Sequence, residues 1–198
     1  MADQLWVKPE DVAVYLDLDL DSALPKLTLL CRAVQRRVED HCERKFLRGN
    51  YTEYHDIASS GVYSVWVKNP PIVTLTSLTD DAQVGARAIT VADDVQTYNG
   101  PNYGEARLWN TEGTFVAGVQ AVKIVYTGGY AADDIPEDLA LAAWQMVAVL
   151  WEGAEPLARA SQAIDGENIS WRDDSIPPQA KPIIDKYKRL WVPGKVAR

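Results

Sequence analysis

The sequence is poor in the residues on which most catalytic and metal sites depend. Its 198 residues include two histidines and two cysteines, and nothing of the form Gly-Lys-Ser or Gly-Lys-Thr. His41 and His55 lie in different predicted elements, whereas a metal site needs several converging ligands. Cys31 and Cys42 are about 16 Å apart along one predicted helix, beyond the reach of a disulfide. We therefore predict no catalytic site, no metal and no cofactor.

Long apolar runs are missing as well. A membrane-spanning helix needs about 20 apolar residues. The longest uncharged stretch, Leu139–Trp151, covers only about 20 Å as a helix. We therefore expect no membrane contact.

Positive charge is scarce and unevenly distributed. The chain has 20 basic and 28 acidic side chains, and its formal charge of −8 disfavours tight binding to nucleic-acid phosphates. Residues 177–198 contain six basic side chains and one acidic one, so residues 1–176 carry a formal charge of −13. An acidic body with a basic tail indicates two surfaces with different roles.

The residues that are present predict an α+β protein with a single domain over residues 1–198. Residues 1–48 have the spacing of a short and a long helix, separated by an acidic loop over residues 17–22. The long helix should bury a stripe that starts at Leu24 and should expose Glu39. Residues 50–127 alternate β-formers with turn signals, which predicts one small antiparallel sheet. Residues 135–160 predict a central apolar helix, and residues 177–198 predict a last helix with a basic arm.

A glycine corner, Thr127-Gly128-Gly129-Tyr130, joins a predicted strand to a predicted helix in the outline of a phosphate-binding loop. No lysine follows it, but four carboxylates do: Asp133, Asp134, Glu137 and Asp138. Carboxylates satisfy the positive end of a helix themselves, so a phosphate would be repelled there. We therefore predict that Gly128 and Gly129 form a structural turn, with one of them at positive φ.

The helix after this corner is apolar on two sides, so both sides should be buried. Two interpretations remain open. In the first, the helix lies at the centre of its own domain. In the second, its other side, with Trp144 and Trp151, contacts a neighbouring subunit.

Three segments resemble a known family: LLCRAVQRRVEDHCERKF, VYTGGYAADDIPEDLALAAWQMVAVLWE and IPPQAKPIIDKYKRLW. They correspond to a first long helix, a Gly-Gly corner followed by a Pro-Glu-Asp-Leu helix start, and a terminal Pro-Pro helix. In this order they resemble the head-tail connector proteins, also called adaptor or head-completion proteins, of long-tailed bacteriophages, prophages and gene transfer agents.

The resemblance implies a helical connector core with an inserted antiparallel β lobe, and a non-enzymatic role in the virion neck. The implied partners are identical subunits in a dodecameric ring, the portal protein, and the next neck component (the stopper) or the tail. DNA would pass through the ring without sequence-specific binding. The implied location is the virion neck, with the host cytoplasm during assembly.

Two surfaces follow as hypotheses. Acidic loops should line the DNA passage, and the candidates are Asp17, Asp19, Asp21, Asp80, Asp81, Asp93 and Asp94. The tail should dock on a neighbouring subunit or the portal through Tyr187, Lys188, Arg189 and Trp191. Deleting residues 186–198 is then expected to leave a folded domain.

Two alternatives remain. The chain could be another neck or tail-completion protein, although those are typically β-barrels or compact α/β domains. It could also be an enzyme or small-ligand-binding protein whose site converges only in three dimensions, which a deep pocket with perturbed titratable groups would reveal.

Overall fold

The computed structural model describes residues 4–59, 61–100, 105–153 and 176–189. These residues form two compact units, each assembled from two separate stretches of the chain. Unit 1 takes its described residues from Met1–His41 and Ile135–Asp185, and unit 2 from Cys42–Asp134 and Lys186–Arg198. The mixture of helices and antiparallel sheets confirms the predicted α+β class.

The described helices are α1 Pro9–Tyr15, α2 Leu20–Cys42, α3 Val91–Asp94, α4 Glu137–Gly153 and α5 Lys181–Asp185. The described strands are β1 Gly49–Ile57, β2 Ser64–Trp66, β3 Ile72–Asp80, β4 Arg87–Ile89, β5 Val95–Asn99, β6 Ala106–Asn110 and β7 Gly118–Gly128. Helices α1, α4, α5 and α2 up to His41 belong to unit 1, and the strands belong to unit 2.

The first two helices begin where their sequence supplies the right chemistry. Pro9 stands at the first turn of α1, where its missing N–H is not needed. Asp19 caps α2, because its carboxylate accepts the Ser22 N–H at 3.2 Å. The predicted loop over residues 17–22 is therefore too long, and α2 starts at Leu20.

Helix α2 buries a stripe of small and apolar side chains at helical spacing, namely Ala23, Leu27, Cys31, Val34, Val38 and Cys42. Two predictions about its faces are wrong. Leu24 is 39% exposed, because Ala23 takes the first buried position. Glu39 is buried, because its carboxylate accepts a hydrogen bond from the indole of Trp6 at 3.4 Å.

Helix α4 buries one continuous face of Leu139, Ala142, Ala143, Met146 and Val147. The structure places its start at Glu137, directly after Pro136, where proline opens the helix. Residues 154–160, to which the predicted helix extended, lie outside the described residues. In the described part of the predicted last helix, residues 177–189, α5 covers only Lys181–Asp185, and residues 190–198 lie outside the described residues.

Unit 2 contains two antiparallel sheets, so the prediction of a single sheet is wrong. The larger has the order β1-β7-β3-β4 and the smaller the order β2-β6-β5. The alternation of β-formers over residues 50–127 predicted neither the short helix α3 nor β5, which follow β4 in turn along the chain. The two sheets share an apolar core that includes Val65, Leu78, Leu108, Phe115, Val122 and Ile124.

Candidate interaction surfaces

The glycine corner is closed by main-chain hydrogen bonds. Gly129 has φ of +90°, and its N–H donates to the Pro71 carbonyl at 3.0 Å. The next N–H, of Tyr130, donates to the Phe46 carbonyl at 2.7 Å. A Cβ on Gly129 would lie 2.6 Å from the Leu47 carbonyl oxygen, so glycine fits here and larger residues do not. Both N–H groups that could face a phosphate are already used.

A buried carboxylate lies at the centre of a polar network in unit 2. Glu53 on β1 accepts the Tyr126 hydroxyl at 2.5 Å and the Lys68 N–H at 3.0 and 3.1 Å. His55 Nε2 lies 3.0 Å from the second carboxylate oxygen. The Tyr126 hydroxyl also accepts the Asn69 N–H at 3.0 Å. Burial and the neighbouring Glu53 raise the pKa of Tyr126, which keeps its hydroxyl a donor.

A buried arginine lies close to this network. The Arg44 guanidinium donates to the Pro70 carbonyl and lies over the rings of Phe46 and Tyr130, at 4.7 and 5.9 Å from their centroids. Burial lowers the pKa of Arg44. These polar groups connect β1, β7 and the chain on either side of Pro70, so they hold the fold together.

The sequence analysis missed Glu53 and Arg44. The sequence alternates in the way of a strand over Tyr51-Thr52-Glu53-Tyr54-His55. Which of the two alternating sets of side chains faces the core depends on the pairing with β7. A charged residue on the buried side of the strand, such as Glu53, can be recognised only once that register is known.

The acidic candidates for a DNA passage occupy several different environments. The expectation that they lie in loops is wrong for Asp21 in α2, Asp80 in β3, and Asp93 and Asp94 in α3. Asp80 is fully buried, because its carboxylate accepts from Arg87 at 2.8 Å and from the Val116 N–H at 2.9 Å. It therefore lines no surface. Asp81, at a positive φ, and Asp94 are half-buried, and the exposed candidates are Asp17, Asp19, Asp21 and Asp93.

The apolar side chains proposed for a subunit interface have contacts within unit 1. The ring of Trp144 lies 5.9 Å from that of Tyr15, and Lys26 Nζ lies 4.1 Å above the ring of Trp151. Both tryptophans remain half-buried. Their immediate neighbourhood is not wholly covered in the described residues, since Leu141 and Val149 are exposed.

The tail is partly integrated into unit 2. Tyr187 is fully buried and meets Phe46 edge to face at 6.2 Å, and the Arg189 N–H donates to the Cys42 carbonyl at 3.0 Å. Deleting residues 186–198 would remove this core side chain, so we expect the deletion to destabilise unit 2 rather than to leave it intact. Lys188 is exposed and Arg189 half-buried. Trp191 lies outside the described residues.

One further surface escaped the sequence analysis. Six side chains share one side of the smaller sheet, because they stand opposite one another in its register: Ser64, Trp66, Gln96, Tyr98, Arg107 and Trp109. We call this set the aromatic face. The alternation Ala-Arg-Leu-Trp-Asn in β6, with Ala106 and Leu108 fully buried, was the signal that could have revealed it.

Within the described ranges, no group of three or more histidine, cysteine, aspartate or glutamate side chains could hold a metal ion. No helix there combines the length and the hydropathy that a membrane crossing demands. Cys31 and Cys42 are buried thiols that are not joined in a disulfide, and burial together with the charge of Glu10 raises the pKa of Cys31 to about 12.

The fold is a two-unit α+β arrangement, and its buried polar groups serve structural roles. The model of the head completion protein family matches residues 7–190. The chain therefore belongs to the head completion protein family. No curated protein matches the chain.

Solved structures from gene transfer agent particles have a similar fold. A chain from the neck of an empty particle, computed with C6 symmetry, matches with a TM-score of 0.54 and 17% identity, covering 94% of this chain and 91% of that one. A chain from the neck of a native particle, computed with C12 symmetry, matches with a TM-score of 0.54 and 16% identity, covering 85% and 84%. A chain from the virion of a native particle gives a TM-score of 0.50 at 18% identity, covering 89% and 81%.

Proposed function

We propose that the protein is a structural subunit of the neck of a tailed phage or phage-like particle, where identical copies form a ring beneath the portal. The observation that carries the proposal is the structural match to a chain of a particle neck, which covers 94% of this chain. Membership of the head completion protein family supports it. The sixfold and twelvefold symmetries of the two neck structures support a ring, and we propose a dodecamer. The role is structural and not catalytic. The protein would lie in the host cytoplasm while the particle assembles and in the virion neck afterwards.

The proposed partners are the portal on one side and the stopper or tail on the other. Residues 1–198 would act as one connector domain, with the lobe over residues 50–127 inserted between helical segments. Trp144 and Trp151 remain candidates for contact with a neighbouring subunit. Lys188, Arg189 and Trp191 remain candidates for portal docking, and Tyr187 is withdrawn because it is buried in its own chain.

DNA would pass through the ring without being gripped. The formal charge of −8 supports this, because like charge keeps a duplex from adhering to the wall. The remaining candidates for the lining are Asp17, Asp19, Asp21, Asp81, Asp93 and Asp94. A cryo-EM reconstruction of the assembled ring tests this proposal, and a lumen lined mainly by lysine and arginine would contradict it.

The ring itself is tested by mass photometry and negative-stain imaging of the purified protein, alone and with the portal protein of the same particle. We expect a closed ring of twelve copies under at least one of the two conditions. A protein that remains monomeric at micromolar concentration, and that does not bind the portal, would refute the proposal.

The tail is tested separately with a deletion of residues 190–198, which leaves Tyr187 and Arg189 in place. We expect weaker portal binding for this deletion and for Lys188→Glu, and we expect the binding of the intact protein to weaken as salt rises. Arg32→Glu reverses an exposed charge in unit 1 and serves as the control. Equal portal affinity for the deletion and the intact chain would mean that the tail is no docking element.

A further inference from the structure

The aromatic face holds its only charged group in a fixed position. The Arg107 guanidinium carbon lies 4.8 Å from the ring centroid of Trp66 and 4.7 Å from that of Trp109. Arg107 Nε donates to Ser64 Oγ at 3.0 Å, and Tyr98 meets Trp109 edge to face at 5.8 Å. An arginine stacked between two indoles has lost much of its rotamer freedom before any partner arrives, which lowers the entropy cost of binding.

The face is open to a partner in the described part of the chain. Tyr98 is 43% exposed, and Trp66, Arg107 and Trp109 are half-buried. The other side of the same strands is the core of unit 2, with Leu108 fully buried. Tryptophan, tyrosine and arginine are the residue types that dominate binding energy at protein interfaces. No described carboxylate forms an ion pair with Arg107.

The partner must present a carboxylate beside apolar side chains. Unit 1 exposes such a surface on α1, where Val14 is 83% and Tyr15 43% exposed. Asp11 is exposed and lies three and four residues before them, on the same side of the helix. We call Asp11, Val14 and Tyr15 the α1 ridge. Its charge is opposite to that of Arg107.

A closed ring needs two different complementary surfaces on every copy, because head-to-tail contacts join unlike patches. We propose that the aromatic face of one copy binds the α1 ridge of the next copy, with Arg107 pairing with Asp11 and the indoles covering Val14. The inference rests on the proposed function, since it identifies which surfaces would close the ring. The occupant of the aromatic face is therefore a second copy of this chain.

The test is a charge exchange in the full-length protein, read out by mass photometry across a concentration series. Arg107→Glu and Asp11→Arg should each raise the concentration needed for half-maximal assembly by at least about tenfold, since each places like charges opposite one another. The double variant Arg107→Glu/Asp11→Arg restores opposite charges at every interface and should regain most of the assembly. Lys123→Glu is the control. Lys123 also lies over an aromatic ring, that of Tyr54, but both residues belong to the larger sheet and not to the aromatic face.

The outcomes separate this inference from the proposed function. A wild-type protein that forms no ring, alone or with the portal, overturns both. A wild-type ring with unchanged assembly of Arg107→Glu overturns the inference alone, and so do single-variant losses that the double variant does not repair. Loss of portal binding by Arg107→Glu with normal ring formation would assign the face to the portal. If Arg107→Glu fails to fold, Asp11→Arg decides, because its side chain is exposed and unchanged assembly would refute the pairing.

Discussion

The buried network around Glu53 permits a quantitative prediction, because one atom can be removed from it without changing its shape. Tyr126→Phe keeps the fully buried ring and deletes only the hydroxyl. That hydroxyl donates to the Glu53 carboxylate at 2.5 Å and accepts the Asn69 N–H at 3.0 Å. Loss of the first contact costs about 1.5–3 kcal/mol, and leaving the second N–H unpaired costs about 1–3 kcal/mol.

We therefore expect Tyr126→Phe to lower the free energy of unfolding by about 3 kcal/mol. This value lies near the lower end of the summed range, because Glu53 keeps its contacts with Lys68 and His55. For a chain of this length the Tm should fall by about 6–12 °C. Urea unfolding followed by tryptophan fluorescence, and a thermal scan by circular dichroism, measure the two quantities.

Tyr54→Phe provides the matched control. Tyr54 lies on the same strand and is 42% exposed, and the structure describes no hydrogen bond for its hydroxyl. Its loss should change the free energy of unfolding by less than about 0.5 kcal/mol. If the two variants were equally stable, the Tyr126 hydroxyl would contribute nothing beyond a solvent-exposed one and the argument would fail.

Two further predictions concern the corner and the buried thiol. Gly129→Val should cost at least about 2 kcal/mol, from a positive φ and a clash with the Leu47 carbonyl. Gly113→Val, where a Cβ meets open space, should cost less than about 0.5 kcal/mol in the same urea assay, and equal costs would refute the strain argument. The ordinary pKa of a cysteine thiol is 9.0, so above that pH the unfolded chain releases the Cys31 proton. The folded chain keeps this proton up to about pH 12. The free energy of unfolding should therefore fall by about 1 kcal/mol between pH 8.5 and 10. Cys31→Ala should remove that slope, and a slope that is identical in this variant would show that another group titrates.

Local signals in the sequence were sufficient to locate several element boundaries. Proline predicts the starts of α1 and α4, because its missing N–H does no harm only in the first turn of a helix. Alternating β-formers predict β3 and β7. Gly128-Gly129 predicts a corner, and the positive φ of Gly129 agrees with that interpretation.

The sheet pairing could not be predicted, because it is set by contacts between distant residues. Strand β1 pairs with β7, with Gly49 opposite Gly128. Strand β5, Val-Gln-Thr-Tyr-Asn, has so little apolar character that only its pairing with β6 identifies it as a strand. The aromatic face depends on the same register, since Trp66, Tyr98 and Arg107 come from three different strands.

The prediction of which charged side chains are exposed failed for a related reason. Sequence reasoning treats an acidic residue as solvated, which holds for Asp17 and Asp19 but not for Glu53 or Asp80. A carboxylate can be buried when several donors converge on it, and those donors come from remote segments such as Lys68 and Val116.

The discontinuous composition of the two units has a consequence for synthesis of the protein. Residues Cys42–Asp134 separate the two stretches of unit 1, so α1 and α2 leave the ribosome about 90 residues ahead of α4. At about 5–20 residues per second, Leu27, Cys31 and Val34 wait roughly 5–20 s for the rest of their unit. Unit 2 in turn receives Tyr187 only after the second stretch of unit 1 has been synthesised. Neither unit can therefore be completed before the segment from α4 to Tyr187 has been synthesised.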